Sequence, residues 1–295
     1  LLSQMIGKNG LNECMSYKEV VDKDKPMKFN FDYKHKEKYG KIFSPGEIHK
    51  YSSKISNICN IIKESEGIIL IYSQFIDGGI IPVALALEEM GFTRYSSESY
   101  MKPLLKEPPS QRIDAITMLP ENGSGDFTPA CYTMITGDKN YSPSNDETLK
   151  YLNDPLNVNG EKVKVVLISK AGSEGIDFKN IRQVHIMDPW YNMSRIEQII
   201  GRGVRYKSHC MLPFEKRNVE IFLHSTLLKN RENESADMYV YRLSEKKSIK
   251  IGKITRLLKE ISVDCDLNIE QTNLTMDDLL KNVDNREIPI ILSNK

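Results

Sequence analysis

Five short runs dense in isoleucine, valine and leucine recur along the middle of the chain: GIILIYS (67–73), ACYTMIT (130–136), KVKVVLIS (162–169), RQVHIMD (182–188) and VEIFLH (219–224). Runs of this length, apolar at nearly every position, predict strands buried on both faces of a parallel sheet with helices between them. The pattern therefore predicts an α/β layered domain over 49–230. Residues 1–48 are polar and lysine-rich, and DYKHKEKYGKIFSPGE holds no lasting apolar period, which predicts a connector or lobe-edge segment with little core. Residues 94–128 are rich in Pro, Gly, Ser and Glu and predict a surface insertion rather than a core element. The remainder, 231–295, is charged and helical in pattern; Ile249, Ile254, Leu257, Leu258 and Ile261 recur at helical spacing and predict an amphipathic cap on the lobe.

The stretch QIIGRGVR (198–205) reads as helix but carries two glycines. Each costs about 1 kcal/mol against alanine in a helix interior, so the pair points to close approach of a neighbouring backbone. At 100° per residue, Gln198, Arg202 and Arg205 fall within roughly 60° on one face, with Ile196, Ile200 and Val204 on the opposite face. No acidic residue lies in the next turn, so the two guanidiniums are expected to lack a local partner and to serve an external anion. The guanidinium fork is the side chain best matched to phosphate oxygens.

Ligands of a parallel sheet bind at the carboxyl ends of its strands. The most informative of these ends is SKAGSEGIDF (169–178), where Gly172 and Gly175 permit positive φ and close backbone approach. Ser169 and Lys170 suit a phosphate, and Asp177 suits an arginine or a sugar hydroxyl. The same residues also fit a plain strand-to-helix connection.

Composition narrows the reading by exclusion. In 295 residues the formal net charge is +1, so any nucleic-acid surface is local rather than spread over the chain. Five dispersed cysteines without CxxC spacing argue against a zinc site and against a disulfide framework, and point to a reducing compartment. No apolar run approaches the roughly 20 residues of a membrane span. The first residue is Leu1, as expected of a piece of something longer.

Taken together, the order strand, SKAGSEGID, strand, DPWYN and then RIEQIIGRGVR resembles the second RecA-like lobe of superfamily 2 helicases and translocases over residues 60 to 230. Ala171 to Asp177 looks like motif V, with its A-x-x-G-x-D core, and Gln198, Gly201, Arg202 and Arg205 look like a complete motif VI. ILIYSQF (69–75) resembles motif IV, and MITGD (134–138) the strand-and-turn element after it. The segments 208–226 and 248–268 resemble the poxvirus-type nucleoside triphosphate phosphohydrolase I and early transcription factor family of large DNA viruses.

The resemblance implies a RecA-like fold with a mostly parallel sheet, flanking helices and a helical C-terminal extension. It implies that Arg205 is an arginine finger for the γ-phosphate, that Arg202 is its companion, and that Gln198 positions these groups. Gly175, Asp177 and Gly201 would face the nucleotide, with Asp177 holding the ribose or bracing the arginines. Ser169, Lys170, Ser73, Gln74, Thr136 and Gly137 would hold the tracking-strand phosphates, contacts that fix register without reading sequence. The cofactor implied is ATP with magnesium, the partners an N-terminal RecA-like lobe, DNA or RNA, and a viral RNA polymerase. The setting implied is viral transcription, cytoplasmic or within a virion.

No G-x-x-x-x-G-K-[ST] phosphate loop occurs in the chain and no D-E-x-x box follows a strand, so the magnesium ligands are expected on the other lobe and this chain alone is expected to be inactive. An alternative reading is a non-catalytic helicase-like lobe that binds nucleic acid or polymerase. Among other candidates, His185 is expected to be a core strand histidine, His209 and His224 have no neighbours for a metal site, and Met193 is expected in the core. Trp190 and Tyr191 could stack on a base but are expected to close a strand end, where Asp188 and Pro189 read as a strand terminator.

Overall fold

The computed structural model describes residues 7–20, 28–96, 99–122, 127–170, 175–228 and 234–268. In chain order the elements are α1 (Gly7–Cys14), β1 (Met15–Val20), β2 (Lys28–Tyr33), α2 (Lys36–Tyr39), α3 (Ile48–Tyr51), α4 (Ser53–Lys63), β3 (Ile68–Tyr72) and α5 (Ile81–Glu89). There follow β4 (Thr93–Ser96), β5 (Ser99–Tyr100), β6 (Cys131–Ile135), α6 (Asn145–Leu152), β7 (Val165–Ile168), β8 (Ile181–Ile186), α7 (Met193–Gly203), β9 (Glu220–Leu223) and α8 (Ala236–Glu260).

Strands β1 and β2 form an antiparallel pair, and the other seven form one sheet in the order β5-β4-β6-β7-β3-β8-β9. Every pairing in that sheet is parallel except β4 with the two-residue edge strand β5. All five apolar runs lie in it as strands. This is an α/β fold with a mostly parallel sheet and flanking helices. Because β4, β6, β7, β3, β8 and β9 run the same way, their carboxyl ends share one edge, and this edge positions the site.

Strand alternation divides the core in two. Ile69 and Ile71 of β3, with Val165 and Leu167 of β7, pack under α4 and α5. Ile68, Leu70 and Tyr72, with Val166 and Ile168, pack under α7 and the end of α6. All nine residues of α5 are buried, so this helix is apolar around its whole circumference. On its far side it meets the N-terminal elements.

Two expectations about core are corrected here. Leu11, Met15, Phe31, Ile42, Phe43 and Ile48 are buried in the first cluster, so residues 1–48 supply core that their polar surroundings conceal. The 94–128 segment also enters the core, through Leu104, Leu105, Ile113 and Ala115. The reason is Glu88 on α5, a buried carboxylate that accepts Leu104 N and Leu105 N at 2.7 Å each and Tyr132 Oη at 2.7 Å. Burial pushes its pKa up, and the donors oppose that shift. A carboxylate so satisfied fixes the segment under the sheet.

Helix α8 is helical as expected, but the cap reading is overturned. Ile249, Ile254, Leu257, Leu258 and Ile261 are each more than half exposed, between 54% and 70%. Only the beginning of α8 is held, through Tyr241, which packs on the second cluster, and the fully buried Ser244.

Candidate nucleotide and nucleic-acid interface

At the carboxyl end of β3, Ser73 is fully buried and donates its Oγ–H to Asp188 Oδ2 at 2.5 Å, while Gln74 N donates to the same oxygen at 3.1 Å. Asp188 therefore does more than terminate β8: it ties the Ser73–Gln74 turn to the neighbouring strand end. Burial pushes its carboxyl pKa up, against the pull of the Ser73 hydrogen bond and the Lys54 charge. Lys54 of α4, itself buried, donates to Met187 O at 2.9 Å and to Asp237 of α8 at 2.8 Å. The turn continues into a π-helical segment, Ile76–Ile80, where Gly79 lies so close that a Cβ would stand 1.9 Å from Ser73 Oγ. Glycine is required there by close approach.

Thr136, past β6, is also buried and internally engaged: its N donates to Ser142 Oγ at 2.9 Å and its Oγ1 shares a 2.8 Å bond with the same hydroxyl. Gly137, next in the chain, is exposed. The geometry thus uses the Ser73 and Thr136 hydroxyls to shape turns, and leaves backbone and neighbouring residues at the surface.

The loop after β7 begins with buried Ser169 and exposed Lys170. Residues 171–174, which include Ala171 and Gly172 of the motif V resemblance, lie outside the described residues. Gly175 has φ +72° with open space around it, so backbone conformation rather than crowding calls for glycine. Asn153, at the end of α6, donates to Asp177 O at 2.9 Å and accepts Lys179 N at 2.8 Å, holding the loop's exit.

Across from that loop lies α7. Its buried face is Ile196, Ile199 and Gly203, rather than Ile196, Ile200 and Val204. The correction has a physical cause: a Cβ on Gly203 would stand 3.1 Å from Ile181 of β8, so the helix settles its glycine against the strand. The helix ends there and Val204 is exposed. Gly201, by contrast, has open space around it, and among the described residues no neighbouring backbone approaches it.

The arginines meet Asp177 from that loop, the residue that the resemblance implied would hold the ribose or brace them. Arg205, just beyond the helix, donates Nη1–H to Asp177 Oδ2 at 2.8 Å and Nε–H to Gly201 O at 3.0 Å. Arg202 donates to Ile176 O at 3.2 Å and lies 3.8 Å from Asp177 Oδ1. The partner comes from a loop 28 residues earlier, out of reach of any helical spacing. Arg205 and Asp177 are about half exposed, at 46% and 55%. An ion pair so placed is worth about 0–1 kcal/mol, so it orients the guanidinium without committing it.

Beside this pair opens a cavity of about 320 Å³ lined by Lys170, Trp190, Ser194, Arg195, Gln198 and Arg202, among others. Four of the residues singled out by the sequence, Lys170, Trp190, Gln198 and Arg202, meet here, and the lining carries three cations and no carboxylate. Arg195 was not among them. Its guanidinium carbon lies 4.2 Å from the centre of the Trp190 ring, which fixes the indole by a cation–π contact. An arginine at 195 carries no sequence signal for this role; only the fold brings it onto Trp190. Such a wall, cationic with one aromatic ring, can take a phosphate and the face of a base or ribose.

The histidines are structural. His185 is fully buried, shares a 2.9 Å bond between its Nδ1 and His224 Nε2, and stacks on Phe222 at 4.7 Å. His209 Nε2 sits 2.6 Å from Ile181 O. Among the described residues no three His, Cys, Asp or Glu side chains group as a metal site, and no helix is long and apolar enough to cross a membrane. Met193 is half-buried against the second cluster, and the Trp190 and Tyr191 rings lie edge to face at 5.9 Å.

Residues 130–207 match the helicase conserved C-terminal domain family. The chain is 31% identical over 243 residues to a termination factor NPH-I homologue of African swine fever virus, covering 74% of this chain and 33% of that protein. It is 33% identical over 214 residues to a candidate ATP-dependent RNA helicase, L538, of Acanthamoeba polyphaga mimivirus, covering 72% of this chain and 38% of that one. A candidate helicase of Invertebrate iridescent virus 3, 087L, is 28% identical over 236 residues, with 77% and 22% covered. Among solved structures, the C-terminal part of the Fun30 ATPase domain superposes with a TM-score of 0.37 at 14% identity, covering 71% of this chain and 60% of that one. The chain spans well under half the length of these curated relatives.

Proposed function

We propose that this chain, which carries a helicase C-terminal domain related to those of large DNA viruses, is the C-terminal half of an ATP-dependent nucleic-acid helicase or translocase. In this reading residues 49–230 are the second RecA-like lobe and 231–295 an extension. The observation that carries it is the meeting of Asp177, Arg202 and Arg205 beside a cationic cavity at the carboxyl edge of a parallel sheet. Two guanidiniums without a phosphate loop or magnesium carboxylate fit one side of a nucleotide, the side away from its metal, and leave the rest to a first lobe.

ATP, when bound, supplies the phosphoanhydride whose cleavage places negative charge on the transferred phosphoryl group. Arg205 exchanges its weak contact with Asp177 for charge-assisted bonds to that phosphoryl group, and Arg202 keeps the Gly175–Asp177 loop against α7 through Ile176 O. Gln198, on the cavity wall, positions the arginines. Lys170 and the Ser73–Gln74 and Thr136–Gly137 turns, at the ends of three strands, follow a nucleic-acid backbone. Asp188 sets the first of these turns. The termination-factor name of one relative supports a place in viral transcription, with a viral RNA polymerase as partner.

Binding of a fluorescein-labelled oligonucleotide to the chain, followed by anisotropy across a salt series, tests the nucleic-acid half of the proposal. Lys170→Ala is expected to weaken binding and to lower the salt slope by about 0.7–0.9, the signature of one lost phosphate contact. An unchanged affinity and slope would remove Lys170 from the nucleic-acid path.

A further inference from the structure

The parallel strands also share an amino edge, and a cavity of about 400 Å³ opens there, at the end of the sheet opposite the arginine pair. Gly67 leads into β3, Lys164 leads into β7, Arg182 lies at the start of β8, and Lys216 stands ahead of β9. Glycine makes room for the two cationic stems. Gly67 has φ +72°, and a Cβ there would collide with the Arg182 stem; a Cβ on Gly160, at φ +90°, would stand 3.1 Å from Lys164 Cδ.

Lys164 is 1% exposed, and its Nζ donates to Ser65 O at 3.1 Å. Arg182 donates Nε–H to Asn218 O at 3.1 Å and Nη2–H to Asn218 Oδ1 at 2.7 Å. Both cations therefore rest on neutral acceptors, and among the described residues neither makes an ion pair. The two carboxylates of the cavity are already engaged. Glu66 accepts Lys216 Nζ at 3.1 Å, and Glu161 accepts Asn159 N at 2.9 Å and Asn159 Nδ2 at 2.7 Å. The lining thus holds three cations against two carboxylates, with donors of Lys164 and Arg182 left over. Burial pushes the Lys164 amine down to about 8, against the pull of Glu66, Glu161 and Asp114. A buried cation short of an anion is costly, and an anion taken from solution offsets that cost. The pairing of a guanidinium fork with an ammonium suits phosphate oxygens. We propose that this cavity is a second anion site, which takes one phosphate group between Lys164 and Arg182 with Lys216 at its rim.

Amide chemical shifts of the full 295-residue chain, followed by two-dimensional NMR as pyrophosphate is added, test this. The amides of Gly67, Gly160 and Lys164 are expected to move together and to saturate. Arg182→Gln with Lys216→Gln, neither residue being buried, is expected to weaken that binding at least tenfold. The β6 and α7 amides should hold their shifts in this variant, as the control for folding. Lys164→Met is expected to abolish the binding. A single-stranded oligonucleotide that moves the same amides at lower concentration than pyrophosphate would support the site and assign its phosphate to a nucleic-acid backbone. The reverse order would support it and assign a small phosphate compound. No movement of the three amides, or equal binding in the parent and both variants, would overturn the proposal.

Discussion

Arg205→Ala is expected to lower ATP turnover by the two-lobed protein by about a thousandfold or more, the range over which an arginine finger acts on phosphoryl transfer. Arg205 lies beyond the last turn of α7, is 46% exposed and makes one surface ion pair, so the same change should leave the thermal midpoint nearly unmoved. Asp177→Ala separates the two roles of the pair. It frees Arg205 and loosens its orientation, and is expected to cost far less turnover than removing the guanidinium. A steady-state ATPase assay with saturating nucleic acid, alongside a melting curve, checks both. Loss of turnover with a lowered midpoint would instead mark Arg205 as a structural residue.

Acidification is expected to destabilise the lobe between pH 6.5 and 4, through His185 and His224. Burial holds both rings neutral, pushing His185 from its ordinary 6.5 down to about 3 and His224 down to about 4. In that window the unfolded chain binds protons that the folded chain does not, so stability falls as pH falls. The slope is up to about 1.4 kcal/mol per pH unit for each ring. The raised carboxyls of Glu88 and Asp188 act in the opposite sense near their own titration, since the fold favours their neutral form. Urea midpoints at half-unit steps of pH check the balance. His224→Gln should reduce the slope by about half, and a slope unchanged by it would assign the acid lability elsewhere.

The sheet was legible because its central strands are buried on both faces, and near-continuous isoleucine and valine in short runs is the pattern that such burial requires. The strand at Thr93–Ser96 left no such trace: TRYS is polar, and only two of its residues pair with β6. The core of the first 48 residues escaped because single buried side chains such as Phe31 and Phe43 sit among lysines, where no period forms. In the site, positions one helical turn apart were readable, so Gln198 and Arg202 do share one cavity wall. Pairings across long separations were not. Asp188 with Ser73 and Arg195 over Trp190 depend on which strands and turns become neighbours, and that is settled by the sheet, while Asp177 with the arginines came from the family resemblance alone. Helical spacing in α8 reported a two-faced helix correctly, but its reading as a cap on the lobe failed because the apolar face is exposed.

The central claim is that this lobe completes a nucleic-acid-dependent ATPase. The most direct measurement is ATP hydrolysis by the two-lobed protein, with and without added DNA or RNA. Hydrolysis that rises on adding nucleic acid is the predicted result. No hydrolysis with any nucleic acid, while the chain still binds oligonucleotide, would contradict the claim and leave a lobe that only binds.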